Sequence, residues 1–191
     1  MEEERPTPLL EDTEQTRQKL ESWFSERRGT AVRIPELNIP EATGMSNVTL
    51  LFDIEWQEGD RTCREACVGR LQPEIERPVF PSYDLSLQYQ VMDSVGRHSD
   101  VPVPELLGLE TDRSVLGVQF YIMKHREGRI PSDMPPYNMD GWLLQETTEA
   151  QRVSLWQAAV DTMARFHRLD YRTLGFEHLA EAGASPLQQQ L

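Results

Sequence analysis

No stretch of this chain approaches the roughly 18 consecutive apolar residues that a membrane-spanning helix requires, which argues against a helical membrane protein. The opening, "MEEERPTPLLEDTEQ", carries acids where a secretory signal places a basic and then an apolar region, so a cytoplasmic protein is predicted. Basic residues are also scarce: 19 Lys and Arg stand against 32 Asp and Glu, a formal net charge of -13. Nucleic-acid backbones are held by clustered cations that displace counterions, so a nucleic-acid partner is excluded. Solubility accounts for the acidity, which therefore names no substrate. The two cysteines, Cys63 and Cys67, lie in "TCREACVGR", read as a strand. Four residues at about 3.3 Å each hold them roughly 13 Å apart on one face, too far for a disulfide.

What is present supports a packed core, since 38% of the 191 residues are hydrophobic and 8% aromatic. "EDTEQTRQKLESWFSERRG" reads as an amphipathic helix with Asp12 as N-cap, Leu20, Trp23 and Phe24 on one side, and Gly29 as its stop. "TAVRIPEL" is a short extended piece. "NVTLLFDIEW" alternates, with Val48, Leu50, Phe52, Ile54 and Trp56 on one face and Asp53 and Glu55 on the other. The turn "QEGDR" returns the chain into "REACVGRLQP". "SYDLSLQYQVMDSVG" is predicted helical, with Leu85, Tyr89, Met92 and Val95 in register, Ser82 placed to cap it and Gln88 on the inward face. "DVPVPELLGLE" and "VLGVQFYIMKH" give two further strands, and "REGRIPSDMPPYN" a linker. From Thr148 a helix runs to about Leu169, opened by a Thr148/Gln151 capping box and lined by Val153, Trp156, Val160, Met163 and His167.

The fold class this order predicts is α+β: a five-stranded antiparallel sheet with one helix inserted after its third strand, the small lobe of a kinase-like fold. The pieces "TGMSNVTLLFDI", "CVGRLQP", "LQYQVMDSV", "DVPVPELLGL", "FYIMKHREGRI" and "ARFHRLDYRTLGF", in this order, are similar to the N-terminal part of the aminoglycoside phosphotransferase family, especially the branch fused to acyl-CoA dehydrogenase domains. The resemblance implies an N-terminal helix over 1–29, a nucleotide-binding lobe over 30–126, and a hinge with the start of a helical C-lobe over 127–191.

It also implies ATP as cofactor, with Mg2+ expected only together with the missing C-lobe, and a small-molecule hydroxyl as phosphate acceptor. A turn that allows close approach to phosphates is needed before the first long strand, and Gly44, Met45, Ser46 and Asn47 stand there; an ordinary hairpin turn would use the same residues. Arg70, in "VGR", occupies the place of the phosphate-binding cation, with a solvated strand-end residue as the plain alternative. Gln88 stands where a kinase has the orienting Glu; it either accepts from Arg70 without supplying charge or is a satisfied polar group at the core edge. Met123 would back the adenine pocket, and the backbone of Lys124, His125 and Arg126 would meet the purine edge.

"FHRLD", residues 166–170, looks like the His-Arg-Asp of a kinase catalytic loop. That loop must be followed by Asn and a metal-binding Asp, and neither residue type occurs after Asp170. It resembles instead the helix end preceding the family's catalytic motif, with His167 as a packing residue. The one Gly-Asp pair, Gly59-Asp60, lies in a hairpin turn without the preceding His. The sequence thus reads as the ATP-binding portion of a phosphotransferase lacking its catalytic loop, with a separately encoded C-lobe as one partner it could require. The alternative is a non-catalytic kinase-like binding or regulatory module.

Overall fold

The computed structural model describes residues 12–40, 47–72 and 84–179. The described residues divide into two compact units, one running to Asp93 and again over Pro104–Arg126, the other over Ser94–Val103 and from Glu127 onward.

The first unit is a helix laid on one face of an antiparallel sheet. Helix α1 (Thr13–Arg28) starts where the Asp12 side chain accepts from the Gln15 N–H and stops at Gly29, whose φ of 68° only glycine adopts freely. Strands β1 (Val32–Arg33) and β2 (Leu37–Asn38) both pair with β3 (Val48–Glu58), which turns through Gly59-Asp60 into β4 (Arg61–Leu71). Gly59, at φ 60°, takes the first turn position, where positive φ is required. Beyond helix α2 (Leu85–His98) come β5 (Leu106–Glu110), the single turn α3 (Arg113–Leu116) and β6 (Phe120–Lys124). The strand order is β1-β3-β4-β6-β5, with β2 also on β3. This is the predicted antiparallel sheet with one helix inserted, its first strand divided in two.

Pro35 explains the division. From Arg33 to Leu37 the chain advances four residues while its partner advances three, from Glu55 to Phe52, so one extra residue bulges at a position that has no N–H to donate. The neighbouring Ile34 is served by α1 instead: its N–H donates to Glu21 Oε1 at 2.7 Å and its carbonyl accepts from Arg17 at 3.1 Å. Under α1, Leu20, Trp23 and Phe24 pack on Leu50, Phe52, Ile54, Phe120 and Ile122 as one core. Gly108 lets the Trp23 indole lie against β5, since a Cβ there would stand 2.8 Å from the ring. Cys63 and Cys67 are both free thiols.

Three expectations are corrected. Val115 and Leu116, read as strand, form α3, because Asp112 caps the turn through the Ser114 N–H and Gly117, at φ 89°, ends it. Residue Ser82, expected to cap α2, lies outside the described residues; Asp84 accepts from the Leu87 N–H at 2.8 Å and takes that part. His167 is exposed and does not pack in a core.

In the second unit, α4 (Trp142–Gln145) lies between the predicted linker and α5 (Glu149–His167). The capping box is present, with Thr148 and Gln151 each bonding the other's backbone. No residue of α5 is buried, and Trp156 is 64% exposed. The Arg129 guanidinium stacks on Trp142 at 4.3 Å and pairs with Glu146 at 2.5 Å.

Candidate functional site: the sheet face opposite α1

Strand alternation divides the polar and apolar residues of β3, β4 and β6 between two faces. Val48, Leu50, Phe52 and Ile54 belong to the core under α1. The other face carries Thr49 opposite Arg70 and Arg70 opposite Tyr121, then Leu51 opposite Val68 and Val68 opposite Met123, then Asp53 opposite Ala66. Cross-strand register thus aligns a cation with two hydroxyl groups, then an apolar row, then a carboxylate.

Arg70 Nη1 donates to Thr49 Oγ1 at 2.6 Å. Burial pushes the Tyr121 hydroxyl pKa up, against the opposing pull of the Arg70 charge and hydrogen bond. The Tyr121 ring meets Tyr89 of α2 edge-on at 6.1 Å. Asn47, only 2% exposed, donates from Nδ2 to Gln88 Oε1 at 3.4 Å. Gln88 is therefore hydrogen-bonded to the residue that precedes β3, which ties α2 to that end of the strand. Gly44, Met45 and Ser46 lie outside the described residues.

The stretch Met123–Arg126 is more committed to the sheet than its sequence suggested. The Lys124 N–H donates to the Glu105 carbonyl and the His125 N–H to the Ala66 carbonyl, each at 2.8 Å. Of the backbone expected at a purine edge, the N–H groups of Lys124 and His125 are thus spent within the sheet. The Lys124 ammonium bridges Glu65 at 2.8 Å and Glu105 at 2.9 Å, and those hydrogen bonds raise its pKa. Glu65 also holds Arg28 at 2.9 Å, so one carboxylate links α1, β4 and β6.

Next to His125 a cleft of about 340 Å³ is lined by Pro35, Leu51, Asp53, Arg64 and Ala66 among others. Two of its lining residues are paired, Arg64 Nη2 donating to Asp53 Oδ2 at 2.5 Å. Sequence reasoning did not select this group. Its signal was there in the alternation that turns Asp53 away from the core, but the cleft itself depends on β2 pairing alongside β3, which brings Asn38 to its lining. Among the described residues no three His, Cys, Asp or Glu side chains are grouped to hold a metal. What the face can do is hold a polyanion at Arg70 and a flat group along Leu51, Val68 and Met123.

Residues 77–191 match the phosphotransferase enzyme family, APH. The chain is 29% identical over 140 residues to a protein of Arabidopsis thaliana named Probable acyl-CoA dehydrogenase IBR3, and 32% identical over 137 residues to acyl-CoA dehydrogenase family member 11 of Gallus gallus. These alignments cover 73% and 71% of this chain but 15% of each relative. The crystal structure of a candidate aminoglycoside phosphotransferase from Ralstonia eutropha JMP134 superposes with a TM-score of 0.54 at 26% identity, covering 90% of this chain and 44% of that one. The antiparallel sheet with its inserted helix is that protein's kinase-like fold, and this chain belongs to the phosphotransferase enzyme family.

Proposed function

We propose that residues 30–126 are the ATP-binding lobe of a phosphotransferase that moves the γ-phosphate to a hydroxyl of a small molecule, and that 127–191 are its hinge and the start of a helical lobe. One observation carries the reading: in a member of this family, Arg70 is aligned with Thr49 and Tyr121 on the sheet face turned away from the α1 core. Arg70 offers a planar fork of donors to phosphate oxygens. Its bond to Thr49 restrains the guanidinium before any ligand arrives, which lowers the ordering cost of binding. Gln88 holds the Asn47 side chain at the start of β3, and the N–H groups of the preceding Gly44, Met45 and Ser46 would be the ones to serve the phosphates. Magnesium-bound ATP supplies an activated γ-phosphoryl group; these residues bind and orient it.

Acyl-CoA dehydrogenase is the activity named for the relatives, and an acyl-CoA bearing a hydroxyl is the acceptor class that name favours. A soluble nucleotide enzyme of the cytoplasm accords with the acidic charge, and no described helix is long and apolar enough to cross a membrane. The 191 residues contain no His-Gly-Asp string, so the purified chain is expected to bind nucleotide without turning it over. The second reading, a non-catalytic kinase-like module, is favoured by Gln88, a neutral amide bonded to Asn47 at the position where a kinase has its orienting Glu.

Calorimetry with Mg2+-ATP on the wild type and Arg70→Met tests the binding claim. Loss of the cation is expected to cost roughly 1.5 to 3 kcal/mol, tenfold or more in affinity. Equal affinities would remove Arg70 from the site, and phosphate transfer that tracks the purified chain would overturn the expectation of binding alone.

A further inference from the structure

A kinase orients its phosphate-binding cation with a Glu from the inserted helix. Gln88 stands at that position in α2, and its side-chain oxygen accepts from Asn47 Nδ2 at 3.4 Å. The sheet itself brings two other polar groups to Arg70. Strand β4 runs between β3 and β6, so the residues directly opposite Arg70 are Thr49 on one side and Tyr121 on the other. Opposite residues of antiparallel strands stand about 5 Å apart at Cβ, close enough for both hydroxyls to meet one guanidinium. Arg70 Nη1 donates to Thr49 Oγ1 at 2.6 Å, and the Tyr121 hydroxyl takes a hydrogen bond from Arg70 as well. Tyr121 is 4% exposed, and its ring lies edge-on to Tyr89 of α2, which fixes the ring plane and with it the direction of the hydroxyl.

We infer that Tyr121 is a positioning residue for the phosphate-binding cation: with Thr49 it forms a hydroxyl clamp, supplied by the two neighbouring strands, that orients Arg70 as a helix carboxylate does in a kinase. The inference rests on the nucleotide reading above and adds to it how the cation is held. A hydroxyl directs the guanidinium without setting a negative charge of its own against the incoming phosphates. Burial raises the pKa of the Tyr121 hydroxyl, which keeps it protonated and neutral at physiological pH. A long Arg side chain gives up rotamer freedom when it closes on a ligand. A clamp that imposes this order beforehand raises affinity without itself touching the ligand. Helix α2 takes part through the Tyr89 ring, by packing and not by charge.

The test is calorimetry of the 191-residue chain with Mg2+-ATP and with tripolyphosphate, on the wild type, Tyr121→Phe, Arg70→Met and the double variant. Tyr121→Phe keeps the ring against Tyr89 and removes the hydroxyl alone. It is expected to weaken both ligands about three- to tenfold when Arg70 is present and to change neither in the Arg70→Met background. A residue that only supports the fold would weaken both backgrounds alike. A second measurement needs no ligand. The Arg70 guanidinium protons, assigned by their loss in Arg70→Met, are expected as separate NMR signals in the wild type, because a clamped guanidinium rotates slowly, and to merge in Tyr121→Phe. Equal losses in the two backgrounds, no loss in either, or Arg70 signals that Tyr121→Phe leaves unchanged would overturn the assignment. If that happens while Arg70→Met still weakens ATP, the phosphate reading stands and this inference falls. If Arg70→Met binds both ligands as tightly as the wild type, or the wild type binds neither, both fall.

Discussion

Cys67 shows how a single side chain inherits its chemistry from position. It stands on the core face of β4, and burial together with the nearby Glu65 charge pushes its thiol pKa from 9.0 up to about 12. Thiolate is the reactive form, so Cys67 is expected to resist iodoacetamide at neutral pH while the part-exposed Cys63 is alkylated first, as peptide mass spectrometry would show. The same shift has a sign in stability. Between pH 9 and about 12 the unfolded chain loses this proton and the folded chain keeps it, so the contribution is complete below pH 9 and falls as pH rises toward 12. Denaturant titrations at pH 8 and pH 10.5 on wild type and Cys67→Ala measure it: the wild type should lose more stability than the variant, and parallel losses would refute the shift.

Two helices of similar amphipathic pattern have opposite fates. In α1 the apolar side is covered by the sheet, with Trp23 5% exposed, its ring edge-on to Phe24 and Phe120 and its N–H donating to Glu110 at 2.9 Å. In α5 the corresponding residues Trp156, Val160 and Met163 lie open. Truncation therefore has unequal effects. Trp23→Ala is expected to cost about 3 to 5 kcal/mol through cavity formation. Trp156→Ala is expected to stay within about 0.5 kcal/mol, as for exposed sites. Chemical denaturation followed by circular dichroism compares them, and a large loss at Trp156 would mean that α5 is covered in solution.

Across the whole molecule the long-range pairing is concentrated in the first unit, where eleven-residue strands β3 and β4 pair along their full length and β6 continues the ladder. Amide exchange follows opening free energy, which tracks buried contacts and ladder bonds. Slow amides are expected over Val48–Trp56 and Phe120–Met123, with much faster exchange through Glu149–His167. Exchange in α5 as slow as in the sheet would show a self-sufficient domain and favour the non-catalytic module.

What could be read from the chain without its fold was whatever depends on near neighbours. Strict alternation in "NVTLLFDIEW" specified which β3 residues meet the core, because period-two side-chain direction is a property of extended backbone itself. Asp12, Gly29 and the Thr148/Gln151 box marked helix ends, because a cap bonds groups within four residues. Cross-strand proximity was decided elsewhere. That Arg70 bonds Thr49, that Gln88 bonds Asn47 and that Asp53 and Arg64 share a cleft all depend on register between segments 11 to 41 residues apart. The spending of the Lys124 and His125 N–H groups belongs to the same kind, since their acceptors are Glu105, just before β5, and Ala66 on β4. Local preference carries no term for such distant partners; they are chosen when the apolar faces of α1 and β3 close on one another and leave only one register in which both are buried.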